Sequence, residues 1–150
     1  MKYRPKSPFK VLPPADRKPS QVTDDYWLFA VQKTGTYPEP TENSGKWLIF
    51  VPVSEVDELW AKIKDATEEG LLGIAAKVST QKPNPLARNP DTKVICVYTY
   101  DWTDEDDVRQ VREGLRQLGV IAKIPYKADE DTYAGRYAAQ GNKRISKYYE

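Results

Sequence analysis

Residues 93–118 read KVICVYTYDWTDEDDVRQVREGLRQL. The first eight, up to Tyr100, are rich in β-branched and aromatic side chains, the composition that suits a pleated, half-buried strand. Thr103 fits a helix N-cap, and the acidic run Asp104 to Asp107 fills a first turn where the helix dipole favours negative charge. Val108, Val111, Leu115 and Leu118 then recur at helical spacing and form one apolar stripe, while Arg109, Arg112 and Arg116 face elsewhere. Gly119 stops the helix, because it tolerates a left-handed backbone. Residues 120–126 (VIAKIPY) return as a strand. The plan is strand, helix, strand.

The same plan lies upstream. Residues 46–53 (KWLIFVPV) are a mostly apolar strand. Ser54 fits a cap, and Val56, Leu59, Trp60 and Ile63 form the stripe of a helix that Gly70 ends. Residues 72–78 (LGIAAKV) come back as a strand. Before this unit, residues 26–32 make a short aromatic strand, followed by a loop marked by Gly35, Pro38, Pro40 and Gly45. Between the units, residues 81–92 hold three prolines and read as a loop. Residues 1–20 hold five prolines and six Lys or Arg residues against Asp16, so they read as an extended basic arm. After residue 131 the chain is polar, basic and tyrosine-rich, with a short helical turn expected at 133–139.

Two helices each need one face covered. The simplest arrangement is a single α+β domain over residues 21–150, with both main helices packed on one face of a largely antiparallel sheet. The other sheet face is left for water or a ligand.

Composition removes several kinds of chemistry. The 150 residues include no histidine and one cysteine. Serine or cysteine nucleophiles activated by histidine are therefore absent, and so are histidine-ligated metals and thiolate clusters. No metal or cofactor is expected. Neither a Gly-x-x-x-x-Gly-Lys-Ser/Thr loop nor a Gly-x-Gly-x-x-Gly turn occurs. Cys96 lies in an apolar run and reads as a small buried hydrophobe; with no disulfide available, the expected setting is the reducing cytoplasm. No stretch approaches the roughly 18 apolar residues of a membrane span.

Cations and aromatics remain. Along residues 73–79, Ile74, Ala76 and Val78 share one side of the strand, while Ala75, Lys77 and Ser79 share the other. Lys77 thus projects among small residues, where a ligand could approach and where desolvation would suit a base. Lys123 interrupts the last core strand in a similar way. Trp27, Trp47 and Trp102 sit on or beside strands; on an open face, beside cations, they would stack on bases. Arg136 and Arg144 add charge near the tail, so both ends of the chain could meet one anion.

Several blocks occur in a distinctive order: Ser44-Gly45-Lys46-Trp47-Leu48, Ala76-Lys77-Val78-Ser79, Val94-Ile95-Cys96-Val97-Tyr98-Thr99, Thr103-Asp104, Tyr126-Lys127, and Asp131-Thr132-Tyr133-Ala134-Gly135-Arg136-Tyr137. Over residues 44–137 the chain resembles a domain family of unknown function named after the basophilic-leukaemia-expressed protein. The resemblance implies the fold of the translation-initiation cap-binding factor 4E, a curved antiparallel sheet with helices on its convex side. The cap-binding factor holds its base between two tryptophans, a pair that does not map onto particular positions here. Similar bacterial proteins carry a phosphothreonine lyase label. In that chemistry a lysine takes the α-proton, a histidine protonates the leaving phosphate and arginines hold it. Lys77 stands where such a base would, but the histidine is missing.

Three functions follow as expectations. The first is binding of a phosphorylated ligand, RNA or a nucleotide, on the open sheet face, with Trp47, Trp102, Lys123, Arg136 and Arg144 as ligand-binding residues beside Lys77. The second is a phosphothreonine lyase-like enzyme with Lys77 as its catalytic base. The third is an interaction subunit that meets a protein partner through the N-terminal arm.

Overall fold

The computed structural model describes residues 17–84, 90–130 and 146–150. Its elements, in chain order, are β1 (Trp27–Val31), β2 (Gly45–Pro52), α1 (Val53–Glu68), β3 (Ala75–Ser79), β4 (Thr92–Thr99), α2 (Glu105–Gln117), β5 (Pro125–Ala128) and β6 (Ser146–Tyr149). A single turn of 3₁₀ helix, Pro19–Gln21, precedes them. The six strands form one curved sheet in the order β1-β3-β4-β2-β5-β6, and every neighbouring pair is antiparallel.

The two strand–helix–strand units interlock. β2 and β3, joined by α1, do not touch; β4 lies between them. β4 and β5, joined by α2, are separated by β2. Each helix thus crosses over one intervening strand, and both helices cover the same sheet face. The alternation along each strand fits this. Trp47, Ile49 and Val51 of β2 lie opposite Val97, Ile95 and Lys93 of β4. Ala76 and Val78 of β3 lie opposite Val97 and Ile95. These apolar residues are buried and meet Val56, Trp60 and Ile63 of α1 and Val108, Val111 and Leu115 of α2 in one core.

The helix ends differ from the sequence expectation at their starts. Pro52, not Ser54, is the N-cap residue of α1, and no side chain caps it. Asp57 is engaged elsewhere: it accepts from the Ser20 N–H at 2.9 Å and from Ser20 Oγ at 2.5 Å. Ser20, at the end of the proline-rich arm, is thereby fixed to α1; residues 1–16 of the arm lie outside the described residues. For α2 the N-cap is Asp104, whose carboxylate accepts from the Asp107 N–H at 3.1 Å. Thr103 instead donates its hydroxyl to Asp101 at 2.6 Å. Gly70 and Gly119 follow the two helices with φ of 80° and 105°, the region that favours glycine.

The expected strand over 120–126 is shorter, because its carbonyls are used otherwise. Arg112 is fully buried, although it belonged to the set facing away from the apolar stripe. Its guanidinium donates to the carbonyls of Val120 at 2.8 Å and Ala122 at 2.7 Å, and its Nε to that of Glu150 at 2.8 Å. Burial pulls its pKa below the ordinary arginine value. With two carbonyls held by a side chain, the ladder begins only at Ile124, which exchanges two backbone bonds with Glu150. β6, unseen in the sequence, pairs with β5 and closes that edge. The helical turn expected at 133–139 lies outside the described residues.

Candidate functional site

The sheet face away from the helices is built from the alternate set of residues. Lys77 of β3 stands beside Phe29 of β1 and Cys96 of β4. Cys96 is opposite Leu48 of β2, Tyr98 is opposite Lys46, and Lys46 is opposite Lys127 of β5. No strand position on this face holds a carboxylate. Lys46 and Lys127 are nonetheless only 8 % and 9 % exposed. Directly opposed like charges repel, and buried charge is costly without a partner.

Asp129, just past β5, supplies one opposing charge. It is 2.7 Å from the Lys46 ammonium. Ser44 fixes it from the preceding loop, its hydroxyl donating to the carboxylate at 2.7 Å and its carbonyl accepting from the Asp129 N–H at 2.9 Å. The result is a mostly buried Lys46–Asp129 ion pair, with Lys127 opposite Lys46 and Lys77 two strands away on the same face.

Beside it lies a depression of about 280 Å³, lined among others by Phe29, Pro40, Ala75, Lys77, Tyr98 and Asp129. Its walls are largely apolar, and Lys77 brings the cation. The Lys77 ammonium lies 3.9 Å from the centre of the Trp27 ring. Beneath, the Cys96 thiol is pushed up to about 11 by burial, with Lys77 and Lys46 pulling the other way. It is a neutral packing group here, as its sequence context suggested. Among the described residues, no group of side chains could hold a metal ion, and no helix is long and apolar enough to cross a membrane.

The other expected site residues scatter. Trp47 is 0 % exposed on the helix face. Its Nε1 donates to the Val108 carbonyl at 3.0 Å, and its ring packs edge-on against Tyr126. Its role is to join α2 to the sheet, so the expectation of a stacking platform at Trp47 is corrected. Trp102 lies past the end of β4, half-buried against the core, with its backbone N–H donated to the Asn43 carbonyl at 2.8 Å and the Lys147 ammonium 4.3 Å from its ring centre. Lys123 is not in a strand. It is exposed in the turn after α2, with its ammonium 5.8 Å from the Tyr149 ring centre. Neither Trp102 nor Lys123 lines the depression around Lys77. Arg136 and Arg144 lie outside the described residues.

Sequence reasoning passed over Lys46, Lys127 and Asp129. The signal for Lys46 was present: it shares strand parity with Leu48 and Phe50, opposite to Trp47, Ile49 and Val51.

Known structures share this architecture. The chain superimposes on *Caenorhabditis elegans* eIF4E-3, solved with the 4E-binding protein Mextli and a cap analog, with a TM-score of 0.53 and 21% identity, covering 72% of this chain and 65% of that one. It superimposes on schistosome eIF4E, solved with m7GpppG and 4E-BP, with a TM-score of 0.52 and 19% identity, covering 73% and 59%. The chain thus spans less than two thirds of either neighbour. At this identity the likeness is one of fold: a curved antiparallel sheet backed by helices. Residues 12–135 match the family model of the basophilic leukemia-expressed protein Bles03, and the chain belongs to that family.

Proposed function

We propose that this protein binds a phosphorylated ligand, a nucleotide or the 5′ end of an RNA, on the open face of its sheet. One observation carries the reading: Lys77 lines a largely apolar cavity of about 280 Å³ on a sheet face that also carries Lys46 and Lys127 and whose described strands hold no carboxylate. Lysine ammonium groups donate well to phosphate oxygens, and in a partly dry site such bonds are strengthened. The apolar wall around Phe29 and Tyr98 would accept a base or sugar. That both solved neighbours were captured with cap compounds makes the methylated cap one ligand to try, although Trp47 is unavailable for stacking.

In this reading Lys77 is a cation and not a base. Its ammonium sits over the Trp27 ring at the rim of the cavity. A lyase would also need an acid for the leaving phosphate, and the chain has no histidine to provide one.

Because Trp27 touches Lys77, tryptophan fluorescence reports on the site directly. Titration with GTP, m7GTP and a short 5′-phosphorylated RNA at low salt should quench it, with affinity falling as salt rises. Lys77→Ala should weaken binding about tenfold, the loss expected for one charge-assisted contact. No fluorescence change with any of the three ligands, or binding indifferent to both salt and Lys77→Ala, overturns the proposal.

A further inference from the structure

β1 is one edge of the sheet. Its bonds to the β3 side run through even-numbered residues: the Gln32 N–H donates to Ile74 O at 2.9 Å, and Tyr26 O accepts from the Thr80 N–H at 3.2 Å. In an antiparallel ladder the intervening residues turn their backbone groups the other way. Trp27, Phe29 and Val31 therefore point N–H and C=O outward from the edge, and among the described residues nothing meets them. Their side chains stand on the open face, with Phe29 64 % and Val31 56 % exposed. Natural edge strands are shielded by charge, proline or a bulge. The strand Trp-Leu-Phe-Ala-Val has no charge or proline, and its register with β3 is unbroken.

We propose that β1 is where two copies of this chain join, antiparallel, about a two-fold axis through Phe29. The occupant is identified by the strand's own symmetry. With Phe29 opposite the Phe29 of the second copy, Trp27 faces Val31 of that copy, and all the outward backbone groups of the three residues find partners. Beyond the strand, where the Asp25 carbonyl accepts from Thr80 Oγ1 and the Lys33 N–H donates to Glu68 O at 2.9 Å, the same register brings the side chain of Asp25 towards that of Lys33 at both ends. The two adjacent registers allowed by backbone parity would set Asp25 against Val31 or Gly35 instead, so charge selects the one centred on Phe29. Asp25 already pairs with Arg17 at 2.9 Å and Lys33 with Glu68 at 3.5 Å, yet their side chains remain 56 % and 70 % exposed. The cross-chain pairs therefore extend networks that have room for them. A two-fold contact is self-complementary, and here it would fuse two sheets into one continuous surface.

Sedimentation of the full chain over a range of concentrations tests this. A small strand-edge contact should give a monomer–dimer equilibrium in the micromolar range. Phe29→Lys places like charges on the axis and should leave only monomer. Phe29 also borders the ligand cavity, so a second pair of variants isolates the contact. Asp25→Lys should weaken the dimer about tenfold, and adding Lys33→Asp should restore it. Circular dichroism checks that each variant is folded. A chain still monomeric at roughly 1 mM, or a dimer unaffected by Phe29→Lys, overturns the proposal. Failure of Lys33→Asp to restore the dimer overturns the two-fold register. None of these readings involves ligand, so failure here is separable from failure of nucleotide binding.

Discussion

The two faces of one sheet are made from the same strands and differ in what buries them. On the helix face, Trp47, Ile49, Ile95 and Val97 are buried by apolar side chains from α1 and α2. Its polar groups are tied inside: the Trp47 N–H meets a carbonyl, and the Thr99 and Tyr126 hydroxyls bond at 2.7 Å. On the open face, Lys46 and Lys127 reach comparable burial with neither α1 nor α2 over them. There, burial comes with charge that needs an opposite charge. The comparison separates residues whose loss should cost stability by cavity formation from those whose loss should cost it by electrostatics.

The largest effect is expected from Trp47→Ala, which removes a fully buried ring and its bond to the Val108 carbonyl; about 3–5 kcal/mol should be lost in urea unfolding. Phe50→Ala, three residues on but on the open face and 60 % exposed, should cost no more than about 0.5 kcal/mol. Equal costs would break the distinction between faces. Next comes Asp129→Ala, which leaves Lys46 without its carboxylate in a buried setting. A loss of about 3 kcal/mol is expected at neutral pH, and added phosphate or sulfate should recover part of it. If the anion restores nothing, the open-face centre is an internal ion pair and not an anion site.

A smaller loss than either buried-site substitution is expected from pH. The Cys96 thiol, ordinarily at 9.0, is pushed up to about 11 by burial in the folded chain. An acid whose folded pKa is raised contributes stability that is intact below its unfolded value and lost as pH rises through the folded one. Cys96 should therefore cost on the order of 2 kcal/mol between pH 9 and 11, seen as an alkaline fall in urea midpoint. In Cys96→Ala that fall should be shallower. Identical alkaline limbs would show that burial does not hold the thiol neutral.

Much of the helix face was legible in the sequence. The stripes Val56, Trp60, Ile63 and Val108, Val111, Leu115 repeat at the spacing that a packed helix requires, and the strands feeding them are β-branched. The two glycine stops were equally clear, because a positive φ selects for glycine. What stayed hidden depended on distant partners. Ser54 lost the capping role because Pro52 takes that position, and Asp57 is drawn to Ser20. Arg112 looked solvent-facing until the carbonyls of Val120, Ala122 and Glu150 surrounded it. Lys77 could be placed from local alternation, whereas Lys46 and Lys127 become a site only through a register that joins residues 81 positions apart in the chain. A strand order with interlocked crossovers cannot be read from periodicity.

That interlocking also bears on how the molecule is made. While a ribosome has delivered only the chain up to Ser79, β2 and β3 have no common neighbour, and the slot between them is vacant. Among the described strands, the sheet pairing available to that nascent chain is β1 with β3. Once β4 has left the exit tunnel, a single insertion supplies ladders on both its sides and seals the core beneath α1. Folding is thus held back by the wiring of the strands until more than half of the protein has been translated, so the apolar residues of β2 and α1 depend in the interval on whatever shelters nascent chains.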